Sequence, residues 1–301
     1  MSLTSPAFED RIIAVHGQTG QKWLNSLPEL QEKLVQRWSM SNIQPIQDLS
    51  YNYLAFASIP KYGSVVLKLG VPHQELETEI QALQEFNGNG IVRLLKADSS
   101  QGALLLERIL PGDNLLSIQD DHESTRIAAR LMAKIWKPAP SKFAFPSAGD
   151  WCQGFQGYLE NNPDNGPLPA DLVNDAANLA KELLSTSQNK LLLHGDLHHM
   201  NILLGENENW VAIDPKGVVG EAAFEVGALM LNPVPNLVHW PDLEEVQEHR
   251  LTILAEELRI EQEQLASWSF VRAVLSAVWS LGDGQDWNYG INVAEVLREL
   301  I

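Results

Sequence analysis

The sequence predicts an α+β protein: a helical opening, a short β-rich region, and a long remainder in which helices dominate. Three observations carry that prediction. Residues 1–40 set Phe8, Ile12, Ile13 and Val15, then Leu24, Leu27, Leu30, Leu34 and Trp38, at roughly helical spacing. Residues 42–70 change to an alternating, β-rich pattern through Leu49, Tyr51, Tyr53, Leu54, Phe56 and Ile59, then Val65 to Leu69. From residue 122 onward, runs long enough for helices recur over 122–136, 149–160, 170–188, 243–266 and 268–284. At 301 residues there is room for two lobes or domains and a sizeable core.

Taken in order, the first helical stretch contains Pro28, placed where an opening turn tolerates proline, with Ser26 before it as the expected cap. The turn signal PKYG at 60–63 predicts a hairpin. Its second strand, VVLKLG, carries Lys68, and a lysine within an apolar strand needs a partner or a path to water. The next segment, HQELETEIQALQEF, reads as a helix with Leu76, Ile80, Leu83 and Phe86 on one side and offers Glu75 and Glu79. Two further apolar strands, 91–98 and 103–112, flank the turn SSQG. Helix 122–136 opens on the acidic stretch Asp120–Glu123. Residues 137–147 form a proline-rich connector, and NNPDNGPLP separates the helices over 149–160 and 170–188.

Composition bounds the function. A hydrophobic content of 45% with 20% charged residues is ordinary for a globular chain. No run reaches the ~18 apolar residues of a membrane span, and acidic and basic residues among the first 30 argue against a signal peptide. The single cysteine, Cys152, excludes an internal disulfide and fits a reducing cytoplasm. A net charge of −18 disfavours nucleic acid and anionic membranes. It suits a cationic small molecule, or it serves plain solubility; charge alone does not choose.

Most of the chemistry lies between Leu191 and Leu231. Apolar runs Leu191–Leu193 and Ile202–Leu204 bracket His194, Gly195, Asp196, His198, His199 and Asn201, and a third run, Trp210–Ile213, ends in Asp214. Asp196, Asn201 and Asp214 are hard oxygen donors of the type Mg²⁺ takes alongside water and phosphate. One competing reading is a metallohydrolase: His194, Asp196 and His198 alternate, so on a strand they share a face and with Asp214 form a Zn²⁺ or Fe²⁺ ligand set.

HGDLHHMN resembles the catalytic loop of the aminoglycoside phosphotransferases, relatives of the protein kinases, and Asp214 falls where the kinase D-F-G aspartate stands. The continuation AIDPKGVVGEAAFEVGALMLNP is similar to the streptomycin-type and hydroxyurea-resistance kinases. The resemblance implies a two-lobed protein-kinase-like α+β fold. Residues 1–106 would form a small β-rich N-lobe with added N-terminal helices, 107–112 a hinge, and 113–301 a larger α-rich C-lobe. It implies ATP and Mg²⁺ as cofactors, and a small hydroxylated, cationic acceptor phosphorylated in the cytoplasm. Asp196 takes the role of catalytic base, and Asn201 and Asp214 those of metal ligands. Lys68 and Glu79 form an ion pair aimed at the α/β-phosphates, and the backbone of Glu107 and Ile109 meets adenine.

His194 supports the loop, His198 and His199 pack it, and Glu225 resembles a carboxylate that bonds the loop backbone. Glu221 and Asp283 are candidate substrate contacts. Lys216 either neutralises phosphate or faces water. The departure is the phosphate-covering loop: no G-x-G-x-x-G occurs in 47–60, where Ser50 and Asn52 are either its polar residues or ordinary turn residues. A third reading keeps the fold but makes it an inactive nucleotide-binding module.

Overall fold

The computed structural model describes residues 3–47, 49–142, 144–162, 166–187 and 190–301. The chain divides into two compact units, Met1–Gly112 and Asp113–Ile301. The first unit opens with α1 (Pro6–Trp38), capped where the Ser5 hydroxyl accepts the Phe8 N–H. Strands β1 (Ser41–Pro45), β2 (Tyr53–Ile59) and β3 (Gly63–Leu69) follow, then α2 (Gln74–Phe86), β4 (Leu94–Asp98) and β5 (Ala103–Glu107). The strands make one antiparallel sheet in the order β1-β2-β3-β5-β4.

Alternation does the positioning. Tyr53, Ala55, Ala57, Val65, Leu67, Leu69, Ala103 and Leu105 form one core with Phe8, Ile12, Trp23, Leu27, Leu30, Leu34 and Trp38 of α1. Each of Phe8, Ile12, Leu27 and Leu34 is essentially inaccessible, and such burial stabilises by about 1.5–3 kcal/mol per side chain. Lys68, between Leu67 and Leu69, therefore points away from that core, to the α2 side of the sheet.

The expected break near Pro28 is not where α1 bends. Pro28 lies inside the helix, and the Ser26 hydroxyl donates to the Trp23 carbonyl rather than capping. The interruption falls at Gly17, with φ 55° and ψ −132°, a conformation that only glycine adopts cheaply. A residue without a side chain breaks the helix where the proline only removes one donor.

The second unit comprises α3 (Asp121–Ile135), β6 (Lys137–Pro138), α4 (Ala148–Asn161), α5 (Ala170–Thr186), β7 (Leu191–Leu193), β8 (Ile202–Leu204), β9 (Trp210–Ala212), β10 (Val218–Gly220), α6 (Ala222–Met230), α7 (Leu243–Leu258), α8 (Gln262–Gly282) and α9 (Asn288–Glu299). Asp120 caps α3 through the His122 and Glu123 N–H groups, and Ser147 and Asp150 close a capping box on α4. The proline-rich connector contributes β6 as an edge strand in the order β10-β7-β6, while β8 and β9 pair as a hairpin. Phe143 of that connector, residues 163–165 of the expected turn and residue 188 of the expected helix lie outside the described residues.

The run expected over 243–266 is two helices, parted where Arg259 turns into the left-handed region at φ 57°. α8 is apolar and long enough by composition to cross a membrane, although it holds no unbroken apolar run of that length. Its residues from Leu265 to Leu275 are buried inside the unit, and a helix covered on all sides is apolar all round. Cys152 is free and buried, and burial pushes its thiol up to about 12.

One buried cation ties the helices together. Arg250 of α7 makes a forked pair with Asp121 of α3, at 2.9 and 2.6 Å, and donates to the Asn232 carbonyl at 2.8 Å. Removing one partner of such a pair strands the other. Arg250→Ala should therefore cost about 3 kcal/mol, read as a drop in the urea midpoint at unchanged slope; an unchanged midpoint would show the pair to be dispensable.

Candidate active site

In the first unit, Lys68 and Glu79 are both buried, and the ammonium donates to Glu79 Oε1 at 2.7 Å. Neither is the exposed strand or helix residue that local sequence alone allows. Glu107 ends β5: its side chain accepts from the Arg93 N–H and Nε, and its own N–H bonds the Arg93 carbonyl. Ile109 follows, half-buried. The loop between β1 and β2 is held by α1, since Arg11 donates to the carbonyls of Leu49 at 2.6 Å and Ser50 at 3.3 Å. Asn52 lies over Gly70, where an added Cβ would stand 2.4 Å from its Oδ1.

In the second unit, β7 ends at Leu193 and the chain turns through Gly195, at φ 85°. The turn is held from beneath by Glu225 of α6, which accepts the His194 N–H at 2.7 Å and the Gly195 N–H at 2.8 Å. Burial pushes the Glu225 carboxyl up to about 7, against the pull of those two N–H groups. His194 is engaged at both ring nitrogens: Nε2–H donates to the Ile213 carbonyl at 2.7 Å and Nδ1 accepts the Asp196 N–H at 3.3 Å. Burial holds it neutral, down at about 4. The His194 carbonyl in turn accepts from Lys216 and Gly217. The loop over 194–201 and the DPKG loop are thus one hydrogen-bonded body.

This disposes of the metallohydrolase ligand set. His194 has no lone pair left for a metal, and residues 194–201 are not a strand but a loop with a single tight helical turn at His199–Asn201. Among the described residues no three His, Cys, Asp or Glu gather to hold a metal ion. The oxygen donors sit differently. Asn201 Nδ2 donates to the Asp196 carbonyl at 2.9 Å, which orients the amide with its oxygen as the remaining ligand group. The Asn201 carbonyl accepts the Ile213 N–H, so Asp214, in the left-handed region at φ 59°, is carried on the adjoining loop. Asp196 and Asp214 both act electrostatically on His198, whose Nε2 is 3.8 Å from Asp196 Oδ2. An amide oxygen and a carboxylate on neighbouring loops fit Mg²⁺, which takes few protein ligands.

The remaining candidates divide. Glu221 accepts from Trp268 Nε1 and from Gln264 Nε2 at 3.0 Å, so both its oxygens serve to fasten α6 to α8. Asp283 is exposed at the C-terminus of α8. His199 is buried and held neutral at about 3 by burial, with Arg250 adding to the effect; it packs the loop. The charge of Lys216 is felt at His198. Arg272 stands out in the sequence as a cation within an apolar helix, but its partner is legible only in three dimensions: Nη2 donates to the Gly195 carbonyl at 3.2 Å. Burial pulls its pKa down, opposed by Asp196 and Glu225.

Between the ordinary value of 4.5 and about 7, the folded chain keeps a proton on Glu225 that the unfolded chain has lost. Its contribution to stability is therefore fully present below 4.5 and is lost as pH rises through about 7. His194 and His199, with pKa values lowered from 6.5 to about 4 and about 3, work with the opposite sign, so the informative quantity is a difference. The stability deficit of Glu225→Gln relative to wild type should shrink as pH rises across that window; a constant deficit in urea titrations would contradict the assignment.

Comparison with known proteins agrees with this geometry. Residues 37–284 match the family model for aminoglycoside/hydroxyurea antibiotic resistance kinases. The chain is 31% identical over 275 residues to a streptomycin 6-kinase of Streptomyces glaucescens, covering 89% of this chain and 87% of that one. It is 29% identical to a hydroxyurea phosphotransferase of Kitasatospora aureofaciens, covering 89% and 77%. Among solved structures, the choline kinase LicA of Streptococcus pneumoniae shares the fold, with a TM-score of 0.62 at 15% identity over 92% of this chain and 98% of that one. The chain belongs to the aminoglycoside/hydroxyurea antibiotic resistance kinases, phosphotransferases of protein-kinase-like fold that act on a hydroxyl acceptor.

Proposed function

We propose that this chain transfers the γ-phosphoryl group of ATP, with Mg²⁺, to a hydroxyl of a cationic small molecule: an aminoglycoside, an amino sugar or a related metabolite. The observation that carries this reading is the Asn201 amide bonded to the Asp196 carbonyl, which builds a base and a metal ligand into one loop. The Asp196 carboxylate accepts a hydrogen bond from the acceptor hydroxyl, orients its oxygen toward the γ-phosphorus and takes its proton late, as the bond from that phosphorus to the β–γ bridging oxygen breaks and ADP leaves. Asn201 and Asp214 would hold Mg²⁺, which supplies charge neutralisation at the phosphates. Lys68, fixed by Glu79, meets the α/β-phosphates, and the backbone of Glu107 and Ile109 meets the adenine edge. The reaction belongs in the cytoplasm, where ATP and Mg²⁺ are held.

A cationic acceptor is supported by the net charge of −18 and by the streptomycin kinases among the relatives. Asp283, exposed at the end of α8, offers a carboxylate for such a cation, and Glu221 contributes by fixing α8 from its N-terminal half.

ATP consumption with Mg²⁺ should be measured against streptomycin, other guanidinylated or amino sugars, and neutral polyols of similar size. Turnover is expected with a cationic member, and a preference for the neutral ones would overturn the acceptor class. Asp196→Asn should lower kcat by roughly 10²–10⁴-fold while nucleotide affinity persists, and substantial residual turnover would remove Asp196 as the base. Lys68→Ala forfeits a charge-assisted bond of about 1.5–3 kcal/mol, so kcat/KM for ATP should fall roughly 10–100-fold; no change would take Lys68 out of the site.

A further inference from the structure

Arg272 is a cation in an unusual position. It projects from the apolar helix α8, is 6% exposed, and among the described residues makes one hydrogen bond, from Nη2 to the Gly195 carbonyl. Nη1 has no hydrogen-bond partner among the described residues. Its surroundings are aromatic: the guanidinium carbon lies 4.6 Å from the ring centre of Trp279, 4.9 Å from that of Trp151 and 6.0 Å from that of Phe224. Trp151 and Trp279 meet edge to face at 5.5 Å, so the rings brace each other around it. The stem packs on α6, where a Cβ added at Gly227 would stand 2.5 Å from Arg272 Cβ.

Such a group is a poor choice for stability. A buried charge with an unsatisfied donor costs free energy, and an apolar side chain of like volume would fill the cage as well. What an apolar side chain lacks is a donor for the Gly195 carbonyl. Glu225 takes the N–H groups of His194 and Gly195, and Arg272 takes the Gly195 carbonyl that follows. That carbonyl belongs to the peptide unit whose N–H is that of Asp196.

We propose that Arg272 is a positioning residue, the donor half of a two-sided clamp, with Glu225 as the acceptor half, that fixes the Gly195–Asp196 peptide and thereby the aim of the catalytic carboxylate. Arg272 acts through the backbone, by the bond from Nη2 to the Gly195 carbonyl. The inference rests on Asp196 being the base.

Two variants test it, Arg272→Met and Arg272→Lys, each accepted as folded on its urea midpoint and far-ultraviolet circular dichroism. Arg272→Met should lower kcat for Mg·ATP and streptomycin by roughly 10²-fold, the scale of a misplaced catalytic group, with both KM values within about twofold. Arg272→Lys, which keeps a donor for the carbonyl, should recover about a tenth of wild-type kcat. A kcat within twofold of wild type in Arg272→Met, or a loss carried by KM alone, would overturn the clamp. Amide hydrogen exchange over 194–201, read without acceptor, decides the same point independently of turnover: about tenfold faster exchange in Arg272→Met supports it, and unchanged exchange overturns it. Wild-type turnover on streptomycin separately tests the underlying reading.

Discussion

Two carboxylate oxygens on two backbone N–H groups hold the chemistry of this protein in place. Glu225 reaches from α6 to the turn after β7 and accepts the N–H groups of His194 and Gly195, which lie beyond the end of the strand. Backbone N–H groups buried without acceptors are costly, so the loop stays in this shape only while that carboxylate is beneath it. Everything downstream is hung from the same point. His194 reaches across to Ile213, its carbonyl collects Lys216 and Gly217, and Asn201 closes back on Asp196. Asp196, Asn201 and Asp214, the proposed base and metal ligands, thus sit on loops tied to one another rather than on a strand or a long helix.

The loop's histidines illustrate how burial sorts identical side chains. His194 and His199 are both desolvated and neutral, but one is wired at both nitrogens and the other fills space beside the Arg250–Asp121 pair. His198 accepts the Met200 N–H and faces the Asp196 carboxylate. A cluster rich in histidine reads as a metal site in one dimension. In three dimensions the Nδ1 lone pairs of His194 and His198 are taken by the backbone N–H groups of Asp196 and Met200.

Much of the fold and part of the site were legible in the sequence, for reasons of range. HGDLHHMN was readable because its members are neighbours, so local geometry fixes their relations. The Lys68–Glu79 pair spans one strand-to-helix connection, and the conflict of a lysine in an apolar strand pointed to a partner. The start of α3 declared itself through the acidic stretch Asp120–Glu123, whose first residue is the cap. Longer-range relations were hidden. Glu221 looks like a free carboxylate until α8 brings Trp268 and Gln264, 47 and 43 residues on, against it. The partner of Arg272 is a carbonyl 77 residues away, and backbone acceptors carry no sequence signature. The break in α1 was misread because proline is the louder signal, whereas Gly17 alone accepts the required torsions.

The cover that α1 provides for the sheet has a consequence for biosynthesis. Its apolar stripe, from Phe8 to Trp38, emerges early, yet its docking surface includes Ala103 and Leu105 of β5, the strand that sits between β3 and β4. At translation rates of about 5–20 residues per second the helix waits some seconds for that surface. During that interval Trp23, Leu27, Leu30 and Leu34 of the nascent chain have at most the β2 and β3 part of their cover, and the core of the first unit is complete only once β5 has emerged.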